Sequence, residues 1–296
     1  MPTTVRVGIG LSPDILRLPR PRLRELVERI NASPIDHVAV TDHVSFRGGR
    51  GQDGLAALHY LAGLGVACEL HTGVLLLPLR HPTLVARQLL DLVEVHPAGV
   101  VAGVGLGGDD PAEYTMLGMR STERGARMDD AVSLLVELLG PRSAVDRAGH
   151  YPASGPGLER DTDRRVPVLV GGRAPVSHER AATADGWLAT FCSPSRFADG
   201  AERVIGRSPA ATLGYQAWVG IGDDGRAAAD AQLERFYGLD PGPFGRYVPV
   251  GPADELAAHL DPYVDAGARL FNLFLAGDPE TAVDEIAAVA DALRGR

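Results

Sequence analysis

Eight short apolar runs recur along the 296-residue chain, at 5–10, 37–41, 72–77, 100–106, 166–170, 187–191, 211–221 and 270–275. Amphipathic stretches separate them, at 21–31, 53–64, 82–96, 123–139, 175–184, 195–206, 226–237, 253–266 and 281–293. Nearly continuous apolar runs are the pattern of parallel strands covered on both faces. In the first amphipathic stretch Leu23, Leu26, Val27 and Ile30 share one helical face. Asp53 suits an N-cap, and Pro82 suits a first helical turn, where its missing N–H costs nothing. Strand and helix alternating eight times predict an α/β chain folded as a (β/α)8 TIM barrel, one domain over 1–296 with inserted loops. A doubly wound open sheet shares this periodicity, which alone does not separate the two.

All 29 basic residues are arginine; the chain has no lysine. Pyridoxal-phosphate chemistry, Schiff-base aldol chemistry and the Walker-type phosphate loop each need a lysine amine and are excluded. A net charge of −9 offers no basic surface for nucleic acid. No apolar stretch reaches membrane-spanning length, residues 1–4 begin no signal peptide, and Cys68 and Cys192 lie far apart. The expectation is a cytoplasmic protein with no membrane and no nucleic-acid partner. Nine histidines show no H-x-H, H-x-x-x-H or H-E-x-x-H spacing, so no metal site is expected. The G-x-S-x-G elbow of serine hydrolases is also missing. An organic cofactor is left to carry the chemistry.

Active sites of such barrels sit just past the strand C-termini, which selects five segments. Asp42-His43 follows the second run; an acid beside an imidazole suits proton transfer, though such a pair also closes turns. Gly73-Val74, inside the third run, suggests a bulge or close backbone approach within what is otherwise core. Gly103, Gly105 and Gly108 fit G-x-G-x-x-G, but mid-chain and without the acidic residue at a second strand end that a dinucleotide fold uses. Gly171-Gly172-Arg173 leads through Ala174 into a helix at Pro175, a turn whose free N–H groups and arginine suit a phosphate. Asp185-Gly186-Trp187 reads as a turn and a packed indole.

Taken in order, Thr41-Asp42-His43-Val44, the segment 72–82 ending Arg80-His81-Pro82, Gly103-Val104-Gly105-Leu106-Gly107, Arg124-Gly125 with Arg127-Met128-Asp129, Val170-Gly171-Gly172 and Asp185-Gly186-Trp187 resemble the luciferase-like monooxygenase superfamily. Within it the chain resembles the branch that uses the deazaflavin coenzyme F-420. The resemblance implies a luciferase-like barrel that forms a homodimer, with the cofactor ring over the strand ends. It implies that His43 is the catalytic proton donor or acceptor and that Asp42 orients the ring or the imidazole. It puts a non-prolyl cis peptide at Gly73–Val74, under the ring. It makes Leu76, Leu106, Gly107 and Gly108 walls of the cofactor site, and Gly171, Gly172, Arg173, Ala174 and Pro175 its phosphate turn. The polar segment 140–165 is expected to help cover the site.

The chain also departs from the family. Gly108 stands where sugar-phosphate dehydrogenases of the family carry a glutamate acid, leaving Asp109 or Asp110 as substitutes. Phe46-Arg47-Gly48-Gly49-Arg50-Gly51 replaces the tryptophan that often follows the Asp-His pair, and phosphate-binding lysines are missing. The expected function is hydride transfer between reduced F-420 and a C=C, C=N or C=O bond of a small-molecule or natural-product substrate. The alternatives are an FMN- and oxygen-dependent monooxygenase and a non-catalytic flavin- or deazaflavin-binding protein.

Overall fold

The computed structural model describes residues 4–107, 110–222, 224–238, 240 and 242–295. Twelve strands are described: β1 (Arg6–Leu11), β2 (His37–Val40), β3 (His43–Phe46), β4 (Arg50–Gln52), β5 (Glu69–Leu76), β6 (Val100–Gly105), β7 (Val145–Arg147), β8 (Ala153–Gly155), β9 (Val168–Gly171), β10 (Gly186–Thr190), β11 (Thr212–Gly220) and β12 (Leu270–Ala276). Eight of them close a parallel barrel in the order β1-β12-β11-β10-β9-β6-β5-β2. The eight apolar runs are these eight strands, displaced by at most three residues at an end. A parallel ladder brings every strand C-terminus to one rim, and that shared rim is what can hold a site.

Helices cover the outside. Arg20–Asn31 buries Leu23, Leu26, Val27 and Ile30, as its periodicity requires. Asp53 caps Gly54–Leu64 by accepting from the Ala56 N–H. Pro82–Val95 and Arg124–Leu139 pack against each other beside β5 and β6. The space between strands and helices is filled by one large apolar core that includes Val7, Ile9, Val38, Leu70, Trp187 and Phe271.

Alternate strand residues face the lumen, which is layered. At the N-terminal end lies a polar layer. His37 stacks on His71 at 3.8 Å, His71 bonds Glu69, Arg6 donates to Glu69 at 2.8 Å, and His37 meets Asn272 at 2.7 Å. Val101, Leu169, Leu188 and Leu270 form an apolar layer, with Val74 packed on it. Ala39, Trp218 and Phe274 belong to a further cluster that extends to Phe236 and Phe244.

The β5 ladder shifts register between Thr72 and Leu75, and the Gly73–Val74 peptide is cis. Gly105 makes room for this bulge: a Cβ there would stand 2.4 Å from Val74 Cγ2.

Several elements were not expected from the sequence. Residues 43–52 form the β3–β4 hairpin rather than a plain loop. Pro13–Leu16 and Ala112–Met116 are short helices. The segment 140–165 contains the β7–β8 hairpin and lies along the outside: Tyr151 donates to the Pro78 carbonyl, His81 meets the Pro152 carbonyl, and the Asp161 N–H donates to Glu94. It does not cover the cleft described below, none of whose lining residues it supplies.

Candidate active site

The β2 C-terminus delivers Thr41, Asp42 and His43 to the rim, and they point to different tasks. Asp42 is 1% exposed. Its Oδ1 accepts from the Gly54 N–H (2.8 Å) and Arg80 (2.7 Å), and its Oδ2 accepts from the Leu76 N–H and Arg80 (both 2.8 Å). A carboxylate offers about four lone-pair positions, and all are taken. Burial raises the Asp42 carboxyl above its ordinary value, with Arg80 and the two N–H groups pulling against it. The carboxylate fastens the end of β2 to β5 and to the helix behind, with Arg80 also reaching Asp53 at 3.0 Å.

His43 opens the β3–β4 hairpin. Its ring lies between Phe46 (centroids 4.3 Å apart) and the edge of Phe236 (5.3 Å). Its Nδ1 is 3.2 Å from both carboxylate oxygens of Glu113, which is 1% exposed. The Val44 and Ser45 N–H groups donate to the same carboxylate at 2.8 and 3.4 Å. A carboxylate facing the ring acts as an acceptor, so Nδ1 carries the hydrogen and Nε2 is left as the open nitrogen.

Glu113 is the residue that sequence reasoning missed. The acid was sought immediately after β6, at 108–110. Asp109 and the cofactor-wall residue Gly108 lie outside the described residues. Asp110 is described, and it accepts from the N–H groups of Arg47 (2.7 Å) and Ala112 (2.9 Å). Those N–H groups, Ala112 first, hold its carboxyl below the ordinary range. Through these two contacts Asp110 anchors the hairpin tip. The carboxylate that does meet the imidazole comes from the first turn of helix Ala112–Met116.

Beside His43 lies a cleft of about 130 Å³, lined by residues of the β1 and β2 loops, the β3–β4 hairpin and helix Gly225–Tyr237. Thr41 lines it as well; the threonine is 8% exposed, and its hydroxyl is buried without a hydrogen-bond partner among the described residues.

The glycine lips stand on other strand ends. Gly107 has a φ of +89°, and a Cβ there would approach Tyr114 and the Leu76 side chain at 3.5–3.7 Å. Leu76 is buried against Tyr114 and Leu79, and the Tyr114 hydroxyl donates to the Leu106 carbonyl. Leu76, Leu106 and Gly107 are thus brought together, with Tyr114 as the unforeseen fourth member. Gly171 ends β9, where a Cβ would meet Val74 Cγ1 at 3.1 Å. Gly172 has a φ of +131°, and a Cβ there would stand 2.3 Å from Ser177 Oγ. Trp187 donates to the Gly172 carbonyl at 2.7 Å, so the packed indole also fixes this turn. Ala174 caps helix Pro175–Ala181, whose first residue is Pro175. Arg173 does not stand free over the turn; it donates to the Phe191 carbonyl at 3.0 Å.

These residues suit a flat ring system with an anionic tail. Gly73–Val74, Leu76, Gly107 and Gly171 present bare backbone and apolar walls, and the Gly172 turn admits close approach by an anion.

The chain matches the luciferase-like monooxygenase family over residues 3–294. An uncharacterised protein of Mycobacterium tuberculosis is 31% identical over 135 residues, so the chain spans about half (45%) of the length of the curated relatives it matches. An F420-dependent secondary alcohol dehydrogenase, solved with an F420-acetone adduct, superposes with a TM-score of 0.77 at 20% identity, covering 98% of this chain and 99% of that one. The oxygenating constituent of 3,6-diketocamphane monooxygenase from Pseudomonas putida, solved with FMN, superposes at 0.72 with 13% identity over 99% of each chain. These structural likenesses concern the fold. With a closed eight-stranded barrel and a family match over nearly its whole length, the chain belongs to the luciferase-like monooxygenase family.

Proposed function

We propose that this protein is an oxidoreductase that binds coenzyme F-420 over the barrel rim and exchanges hydride with a C=O, C=N or C=C bond of a small substrate. When bound, the reduced deazaflavin supplies a hydride from its C5. The observation that carries this reading is the His43–Glu113 pair at the mouth of the cleft. Hydride transfer to a carbonyl leaves an oxygen that needs a proton, and the reverse reaction needs a base for the alcohol proton. The open Nε2 of neutral His43 accepts in one direction, and the doubly protonated ring donates in the other. Glu113 fixes the ring by its Nδ1–H and stabilises the imidazolium, while Phe46 and Phe236 restrict its rotation. The Thr41 hydroxyl is a second donor on the same cleft. Gly107 and the Gly171–Gly172 turn are the bare backbone against which the ring and phosphate of the cofactor would rest.

The test begins with fluorescence titration of the purified protein with F-420 and, separately, FMN. Tight binding of F-420 with none for FMN is expected; preference for FMN would replace the hydride-transfer reading with an oxygen-dependent one. Turnover is then read as F-420 absorbance with a panel of aldehydes, ketones and enones. His43→Asn lowers kcat about 100-fold or more with cofactor affinity unchanged. Glu113→Gln lowers it about tenfold with KM unchanged. Equal turnover in His43→Asn would remove the imidazole from the mechanism.

A further inference from the structure

The cleft beside His43 carries a charge that proton transfer does not use. Arg17, Arg50 and Arg235 all line it, against a single lining carboxylate, Asp14. Arg235 is paired with Asp14 at 2.8 Å. Arg17 donates only to the Gly51 carbonyl (3.1 Å), and among the described residues neither Arg17 nor Arg50 has an ion-pair partner. The Glu113 charge lies behind His43 and is taken up by the imidazole and two N–H groups. Two solvent-exposed arginines without an ion-pair partner among the described residues therefore line one small cleft, in a chain of net charge −9. A cleft with low-dielectric walls concentrates such a field on whatever enters it.

The rest of the lining indicates the body that would carry the negative charge. Phe46 and Phe236 form apolar walls at 5.6 Å between ring centroids, and the Thr41 hydroxyl, without a partner among the described residues, is buried on the same cleft. At about 130 Å³ the space is well below the roughly 300–1,000 Å³ of sites for drug-sized ligands, so it suits a body of about one ring. None of the glycine-lip residues lines it, which separates it from the surface assigned to the cofactor.

We propose that the cleft takes a small organic carboxylate, its planar or apolar body against Phe46 and Phe236 and its carboxylate on Arg17 and Arg50. Arg50 and Arg17 are then specificity residues, and Thr41 and His43 face the reacting end. A planar carboxylate is favoured over the bulkier tetrahedral phosphate of a monoester because the space is only about 130 Å³. The proposal rests on the reading of the cleft as the reaction site, but its test does not depend on which cofactor binds.

Benzoate, benzamide and phenyl phosphate are titrated calorimetrically into the wild-type protein, with and without F-420, at low and high salt. Benzoate is expected to bind at least tenfold more tightly than its uncharged isostere benzamide, and more tightly than phenyl phosphate, with a preference that shrinks as salt rises. Arg50→Gln reduces that preference and Arg50→Glu abolishes it. Benzamide matching benzoate, phenyl phosphate binding more tightly than benzoate, or an unchanged preference in folded Arg50→Glu would each overturn the proposal. If the variants do not fold, the acid–amide comparison in the wild type decides alone. Failure of F-420 to bind would overturn the cofactor reading and leave the benzoate result readable.

Discussion

Asp42 and His43 are adjacent in sequence and do separate work. The Asp42 carboxylate is filled by four donors from three segments, so its replacement is a test of stability rather than of chemistry. Asp42→Asn removes the charge that faces Arg80 and turns an NH2 group toward the surrounding donors in a buried place, and we expect a loss of about 3 kcal/mol in urea unfolding. A variant as stable as the wild type would contradict the buried pair. His43 was legible as a rim imidazole because a polar pair closing an apolar strand is conspicuous. Its partner was not. Glu113 is 70 positions away in an ordinary-looking Pro-Ala-Glu-Tyr segment, and which of the acids after β6 turns inward is decided by the packing of Tyr114 on the Leu106 carbonyl. No local pattern encodes that choice. The partner of Asp42 was hidden for the same reason: Arg80 was visible in Arg80-His81-Pro82, but the pairing follows from β2 and β5 being neighbours in the barrel.

At the scale of elements, the barrel strands were readable to within a few residues because burial on both faces makes them almost purely apolar. The β3–β4 hairpin was not, since its strands are short and half-exposed and escape an apolar-run criterion. Its one signal is Gly48-Gly49 between Phe46-Arg47 and Arg50, a turn pair flanked by strand-compatible residues. The turn after β9 was readable from glycine spacing, although the helix behind it ends at Ala181 rather than at 184. That turn makes its own prediction. Gly172→Ala places a side chain at positive φ and against Ser177, which costs about 1–2 kcal/mol of stability. If the turn holds the cofactor phosphate, F-420 affinity falls in the same variant. An unchanged melting temperature would show that the backbone there tolerates a side chain.

For the whole molecule, the polar layer inside the barrel makes stability depend on pH. Burial, and then their mutual repulsion, hold His37 well below its ordinary 6.5, and burial lowers His71 as well. Both are neutral when folded and take up protons on unfolding in mild acid. Their contribution is complete above about pH 6.5 and is lost as the pH falls below that value. Burial works to raise Glu69, but His71 and Arg6 outweigh it and hold the carboxyl below its ordinary 4.5. A second loss therefore begins as the pH falls through that range. Melting temperatures measured from pH 8 to pH 4 are expected to drop below 6.5, with a shallower slope in His37→Asn; a flat profile between 8 and 5 would exclude the buried histidines as its source. Rim loops of such barrels are usually treated as exchangeable parts. Here two of them are keyed together, because Glu113 and Asp110 from the loop after β6 grip His43, Val44 and Arg47 of the hairpin. Anyone transplanting substrate preference between relatives would have to move both segments as one cassette, since a hairpin grafted alone would arrive without the carboxylate that aims its histidine.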